Sequence, residues 1–251
     1  MIQCTMPGTD DYPKAIFYDS KTTIFDWDDQ WNRAASELVD KYDADVDPAE
    51  FRSHWGKYMA GYFLTAAFGE YRDLNPCIRD ALVDTFNRYG IDGDPEDYTH
   101  FTDLYDTVQP FDEASDALER QQQYAEVWTF SNVESRYLEM MVDKLDMEPD
   151  YVGTMEDIEA IKPSPYAYRT VLEQNGYTAD EVLYCAAPIF DVNGAMAYGM
   201  QCAYLNRPEQ AWQDPQRDPQ YVISDLTELA DMLEDGEISA PERSGPGRRA
   251  E

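Results

Sequence analysis

The sequence predicts an α/β fold: a doubly wound parallel-sheet core with an all-helical cap domain inserted after its first strand. Three observations carry that expectation. A short apolar run, Ile16-Phe17-Tyr18, stops at Asp19 and enters the polar stretch Ser20 to Thr23. A long helical texture follows it, and beyond that texture short apolar runs alternate with segments of helical period. Alternating strands and helices argue parallel pairing with right-handed crossovers, and such sheets place ligands beyond the carboxyl ends of their strands.

The elements follow in order. Lys14 to Tyr18 reads as a buried strand. From Asp28 to Thr107 the periodicity is helical: Trp31, Ala34, Ala35, Leu38 and Val39 share one face, as do Phe51, Trp55, Tyr58, Met59, Tyr62 and Phe63, and then Ile78, Ala81, Leu82, Thr85 and Phe86. Asp47-Pro48 and Asn75-Pro76 mark helix starts, with proline in the first turn. Strand-like runs return at 126–130, 151–154, 182–187 and 201–205, separated by helix-like segments at 135–146, 165–175 and 192–198. These boundaries give a core of 12–27 and 109–235, a helical cap of 28–108, and flexible termini at 1–11 and 236–251. The last stretch is too poor in apolar residues to pack.

The chain of 251 residues carries 19 Lys and Arg against 51 Asp and Glu, a net charge of −32. Its hydrophobic fraction of 43% is too high for a disordered acidic tail, so it folds. A negative field of this size repels nucleic acid and anionic membranes, while a local basic site still admits a small anion. Lysine occurs at only six positions, and acids recur through nearly every polar stretch. That pattern points to the salt-rich cytoplasm of a halophilic organism, with an ordinary acidic protein as the alternative. Four cysteines without a CxxC pair and only two histidines, His54 and His100, support neither a zinc centre nor a disulfide framework. No apolar run reaches the roughly 18 residues of a membrane span and no leader opens the chain, so a soluble protein is expected.

Four strand ends carry polar residues that a parallel sheet would gather: Asp19 with Thr23, Ser131 with Asn132, Lys162 with Tyr168, and Asp191. Each alone has an ordinary reading. An acid after a strand is commonly a helix cap, and Lys162-Pro163 could simply open a helix. Their order and placement carry more than any one of them.

The same residues resemble the haloacid dehalogenase superfamily, and most strongly its type II 2-haloacid dehalogenases. The opening motif is matched by Tyr18-Asp19-Ser20-Lys21-Thr22-Thr23-Ile24-Phe25-Asp26. The Lys-Pro motif is matched by Lys162, Pro163 and Tyr168, and the late block by Asp191, Gly194, Ala195, Gly199, Asn206 and Arg207. Phe51-Arg52 is similar to the arginine of the family's cap. The resemblance spans residues 13–235 and implies a HAD-like, Rossmannoid core. It implies an (S)-2-haloacid dehalogenase that hydrolyses short 2-haloalkanoic acids to 2-hydroxy acids through an aspartyl ester, with no metal or other cofactor. Asp19 would be the nucleophile, held with Thr23. Arg52, Asn132 and Phe190 would receive the halide. Ser131 and the backbone N–H groups of Ser20 and Lys21 would hold the substrate carboxylate. Lys162 would neutralise the carboxylate pair, Tyr168 would position it, and Asp191 would orient the hydrolytic water. A homodimer is implied too.

The chemistry asks for such an assembly. Halide displacement needs an ionised carboxylate shielded from water, with an ammonium nearby, and donors where leaving-group charge develops. Three departures leave alternatives open. The glycine of the opening motif is Thr22, so a conformation easy for glycine must be reached by a β-branched residue, or the loop differs. The position two after the nucleophile is Lys21, where the phosphatases carry their acidic residue. The serine and asparagine that would assist the hydrolytic water fall on Ala186 and Pro188. A phosphatase or phosphonatase-like hydrolase, and a catalytically impaired binding descendant, are the other readings.

Overall fold

The computed structural model describes residues 13–207, 209, 211–213 and 217–239. The chain enters the core through β1 (Ala15–Tyr18) and leaves it through the two-residue β2 (Phe25–Asp26). It then builds the cap from α1 (Asp28–Lys41), α2 (Pro48–Phe68), α3 (Leu74–Tyr89) and the short α4 (Thr99–Thr102). β3 (Gln109–Pro110) returns antiparallel to β2, with Phe25 opposite Pro110, so both crossings between core and cap are tied into one ribbon.

The remaining chain alternates as expected. α5 (Ala114–Gln121), β4 (Glu126–Ser131), α6 (Ser135–Val142) and β5 (Tyr151–Thr154) complete one half of the sheet. After α7 (Met155–Ile158) and α8 (Pro165–Asn175), β6 (Val182–Ala186), α9 (Ile189–Tyr198), β7 (Gln201–Leu205), β8 (Tyr221–Ile223) and α10 (Leu226–Glu234) complete the other. The six strands lie in the order β5-β4-β1-β6-β7-β8, and every neighbouring pair is parallel. β1 is thus central, and chain order reverses beside it. That is where a doubly wound sheet opens its ligand crevice.

Alternation along β1 sorts the core into two layers. Ile16 and Tyr18 pack with Leu183, Cys185 and Ala203; Ala15 and Phe17 face the other way, with Phe130, Tyr184 and Ala186. The cap shares one hydrophobic cluster with the first layer, and aromatic packing fills the cap's interior. Trp31 meets Trp55 edge to face at 5.0 Å and Phe101 at 4.2 Å, and Trp27 meets Phe101 edge to face at 5.0 Å. Centroid spacings in this range add packing energy to burial.

Local signals set the helix ends. Asp47 caps α2, its side chain accepting from the Ala49 and Glu50 N–H groups, and Pro48 fills the first position. α3 starts at Leu74, one residue ahead of the Asn75-Pro76 expectation, because a buried carboxylate from the core, Glu134, accepts the Asn75 N–H. The segment expected at 135–146 is helical only to Val142, and the one expected from 192 begins at Ile189. At the C-terminal end, Ile238 is buried and Gln201 Nε2 donates to the Ser239 carbonyl. The packed chain therefore continues at least four residues past the boundary expected at 235, while residues 1–11 and 240–251 lie outside the described residues. Cys77, Cys185 and Cys202 are buried free thiols, and Cys4 lies outside the described residues. Among the described residues, no helix is long and apolar enough to cross a membrane.

Candidate active site

Asp19 follows β1 directly and is 4% exposed. Its N–H donates to the Cys185 carbonyl at 3.1 Å, which holds the start of the loop against β6. The loop then folds on itself. The Ile24 and Phe25 N–H groups both donate to the Ser20 carbonyl, and Thr22 N–H donates to the Phe25 carbonyl at 2.9 Å. This tight turn puts Thr22 at φ 63°, the left-handed region, so the chain retains the glycine-type loop conformation with a β-branched residue. The turn brings Thr23 back to Asp19. Its Oγ1 donates to Asp19 Oδ2 at 3.2 Å and accepts from the Ala187 N–H at 3.0 Å.

Lys162 is fully buried, and its Nζ stands 2.8 Å from Asp19 Oδ1 and 3.0 Å from Asp191 Oδ2. An ammonium out of water needs such partners, since an unpaired buried charge is costly. Burial works against its charge, but the two carboxylates outweigh burial and hold the ammonium above its ordinary value. Burial pushes the Asp191 carboxyl up to about 6, with Lys162 pulling it down and Asp19 adding to the rise. Asp191 Oδ1 is buried and has no hydrogen-bond partner among the described residues.

Asn132 is committed to the same lysine. Its Oδ1 accepts the Lys162 N–H at 2.9 Å and its Nδ2 donates to the Lys162 carbonyl at 3.1 Å, clamping the loop that presents the ammonium. Tyr168 acts through the backbone, its hydroxyl donating to the Asp191 carbonyl at 3.0 Å. Gly194 permits this approach: a Cβ there would lie 2.5 Å from Pro163 Cβ and 2.9 Å from the Tyr168 hydroxyl.

Above the pair lies a cavity of about 230 Å³. Asp19, Lys21, Asn132 and Asp191 supply its polar surface, and Trp27, Met59, Phe63 and Leu74 close it with apolar side chains. Two of those, Met59 and Phe63, lie on the face of α2 that the sequence marked as apolar. Lys21 Nζ sits 4.2 Å over the Trp27 ring and forms no salt bridge among the described residues. Burial pulls its ammonium down to about 8, against the opposing pull of Asp19 and Glu134. Phe190 is 48% exposed and lines both this cavity and a wider adjoining one of about 950 Å³ that also reaches Arg207. The hydroxyls of Ser20 and Ser131 are buried without a partner among the described residues.

Arg52 does not join this group. Its Nη2 pairs with Asp28 at the start of α1, and it does not line the cavity. The cause is electrostatic: Asp28 and Asp29 open α1, and Arg52, one turn into α2, is within reach of the first of them. The basic pocket is therefore Lys21 and Lys162. The acidic run Asp26, Asp28 and Asp29 gathers no further ligands, and no three His, Cys, Asp or Glu side chains converge as a metal cluster among the described residues.

A magnesium ion seeks six oxygen ligands. Asp19 and Asp191 already share Lys162 Nζ, Lys21 adds a second positive charge beside them, and no third acidic side chain converges on the pair among the described residues. This donor set does not fit the metal.

Two residues of the site lay outside the sequence reading. Tyr184 extends from β6 to Lys162 and Asp191, and Glu134 reaches the start of α3 from the core. Tyr184 lies two positions before Ala186 on one face of β6, a period-two relation that marks it as pointing to the same layer.

The profile of the family described as haloacid dehalogenase-like hydrolase matches residues 16–205. Among curated relatives, the (S)-2-haloacid dehalogenase of Pseudomonas fluorescens is 24% identical over 183 residues, covering 71% of this chain and 81% of that protein. Among solved structures, L-2-haloacid dehalogenase from Xanthobacter autotrophicus with chloropropionic acid covalently bound superposes with a TM-score of 0.72 at 21% identity, covering 88% of this chain and 98% of that one. A HAD-hydrolase of Bacillus subtilis bound to magnesium reaches a TM-score of 0.77 at 16% identity, covering 89% and 99%. The shared fold thus includes a magnesium-bound hydrolase as well as haloacid dehalogenases, and the side chains of the site have to decide between them.

Proposed function

The chain belongs to the haloacid dehalogenase-like hydrolase family, and on that premise we propose that it hydrolyses short 2-haloalkanoic acids to 2-hydroxy acids through an ester on Asp19, without a metal. One observation carries the reading: a lysine, not the general acid of the phosphatases, stands two residues after Asp19, in an apolar-roofed cavity whose carboxylate pair is already bridged by Lys162.

In this reading the substrate carboxylate is taken by Lys21, which lines the cavity, and, as the resemblance implies, by the backbone N–H groups of Ser20 and Lys21 with Ser131. Asp19 Oδ attacks C2, and the halide leaves with the bonding pair. Asn132 has a second N–H beyond the one given to Lys162, and with the edge of Phe190 it receives the halide. Lys162 and Thr23 hold the attacking carboxylate ionised and aimed. The apolar roof excludes water, which strengthens each of these interactions. Water then attacks the ester carbonyl while Asp191 takes its proton. An Arg52 released from Asp28 by cap movement would supply a further donor, as the family resemblance implies. Preference for the (S)-enantiomer, a homodimer and a cytoplasmic setting rest on the resemblance and on composition.

The test is halide release from 2-chloropropionate at molar salt, with and without chelator, alongside intact mass of the protein. Chelator-insensitive halide release that Asp19→Asn abolishes is the expected result. Activity confined to phosphate esters, or lost with chelator, would establish the phosphatase reading. Binding of haloacid with neither halide nor an adduct on Asp19 would establish the binding descendant.

A further inference from the structure

Ester hydrolysis is the step for which this chain lacks the expected side chains. Ala186 ends β6 and Pro188 precedes α9, and neither offers a donor to the base or to its water. The structure has a hydroxyl in the same layer from a different position. Tyr184 is fully buried, and its oxygen accepts from Lys162 Nζ at 3.0 Å and donates to Asp191 Oδ2 at 3.3 Å. Edge-to-face contacts with Phe17 at 5.7 Å and with Tyr168 at 5.5 Å fix the ring, so the hydroxyl has one place to be. Burial, reinforced by Asp191, holds the phenol well above its ordinary value, which keeps it a neutral donor. Lys162 and Tyr184 both occupy Asp191 Oδ2, and Oδ1 is left without a partner among the described residues.

We infer that Tyr184 is the positioning residue of the hydrolytic half-reaction: it provides from β6 the anchoring of Lys162 and Asp191 that Ala186 and Pro188 cannot, and leaves Asp191 Oδ1 free for the attacking water. The inference rests on the dehalogenase reading. In the step concerned, water oxygen bonds to the ester carbonyl carbon as Asp191 Oδ1 takes one of its protons. The bond from that carbon to the ester oxygen on C2, the former Asp19 Oδ, then breaks, and the departing oxygen receives the proton from Asp191 while the water oxygen stays in the Asp19 carboxyl. A free 2-hydroxy acid leaves, and the regenerated Asp19 carboxyl gives its proton to solvent.

The test is single-turnover kinetics of the full chain at molar salt with 2-chloropropionate, comparing wild type, Tyr184→Phe, Ala186→Ser and the double variant. Phenylalanine keeps the ring and removes only the hydroxyl. In Y184F both half-reactions slow, because Lys162 also serves Asp19, but 2-hydroxy acid formation is expected to fall at least about 20-fold further than halide release, so the adduct on Asp19 accumulates. Its acid limb moves to higher pH, because the Tyr184 hydrogen bond lowers the Asp191 carboxyl. Adding A186S to Y184F places a hydroxyl two residues along on the same face and restores at least about a third of the hydrolytic rate, whereas A186S alone changes it little. Equal loss of both half-reactions in Y184F with no rescue, or hydrolysis at the wild-type rate, would overturn the inference. Wild-type protein that forms neither halide nor adduct overturns the dehalogenase reading itself, and the inference with it.

Discussion

Lys21 and Asp191 set opposite limits on the proposed reaction. Asp191 must be ionised to take a proton from water, so hydrolysis falls as pH drops through about 6. Lys21 must be protonated to hold a carboxylate, so substrate affinity falls as pH rises through about 8. The acid flank is expected in kcat, which includes ester hydrolysis, and the alkaline flank in kcat/KM, which ends at halide departure; steady-state 2-hydroxy acid formation and halide release measure the two. Lys21→Arg keeps the charge at higher pH and should extend the alkaline side by more than one pH unit; an unchanged alkaline flank would remove Lys21 from the site. Thr22 makes a second residue-scale test. A β-branched residue in the left-handed region costs about 1–2 kcal/mol, part of which glycine returns as unfolded-state entropy. Thr22→Gly should therefore stabilise the fold by about 0.5–1 kcal/mol, read as a higher urea midpoint at fixed salt.

At the scale of elements, the cap is set on the core by two kinds of contact. The aromatic cluster of Trp27, Trp31, Trp55 and Phe101 gives the cap its own interior. A polar link then registers it: Glu134 on the core accepts the Asn75 N–H at 2.9 Å, and Asn75 Nδ2 donates to the Tyr137 hydroxyl at 3.1 Å. A carboxylate at a helix N-terminus is favourable both as a cap and in the field of the helix. Glu134→Ala leaves that N–H buried without its partner, which costs about 1–3 kcal/mol. Because Leu74 and Phe63 close the cavity beside it, haloacid KM should rise several-fold along with the loss of thermal stability. A KM that stays at the wild-type value would separate the link from cap closure.

For the whole molecule, the −32 charge and the site have opposite characters. The surface repels itself, while in the site Lys162 is paired with Asp19 and Asp191 and Lys21, without a salt bridge among the described residues, is left to meet an anion. Screening separates the two: the Debye length falls from about 10 Å at 0.1 M salt to about 3 Å at 1 M, which relieves repulsion between surface carboxylates, whereas the buried Lys162 pairs are little affected. We expect the unfolding temperature to climb steadily from about 0.1 M to above 1 M KCl in a calorimetric series. A flat or falling series would favour the ordinary acidic protein over the salt-adapted one.

The architecture is largely legible in the sequence. Strand and helix alternation, the inserted helices and the strand-end positions of Asp19 and Ser131 follow from short-range pattern, since side-chain periodicity and turn residues are properties of neighbouring positions, whereas Lys162 lies beyond α7 and Asp191 in the first turn of α9. At Thr22 the resemblance leaves two outcomes, a glycine-like turn or a different loop, and the φ of 63° is the first of them. What only the tertiary structure decided is which partner each polar group takes. Arg52 faces Asp28 and lies outside the cavity, Asn132 spends its amide on the Lys162 backbone, and Tyr184 reaches Lys162 and Asp191 from the middle of a strand. A periodic pattern says which layer a side chain enters. Whether its last polar atom meets a carboxylate, a carbonyl or open cavity depends on packing between segments far apart in the chain, and hydrogen bonds resolve such differences at a fraction of an ångström.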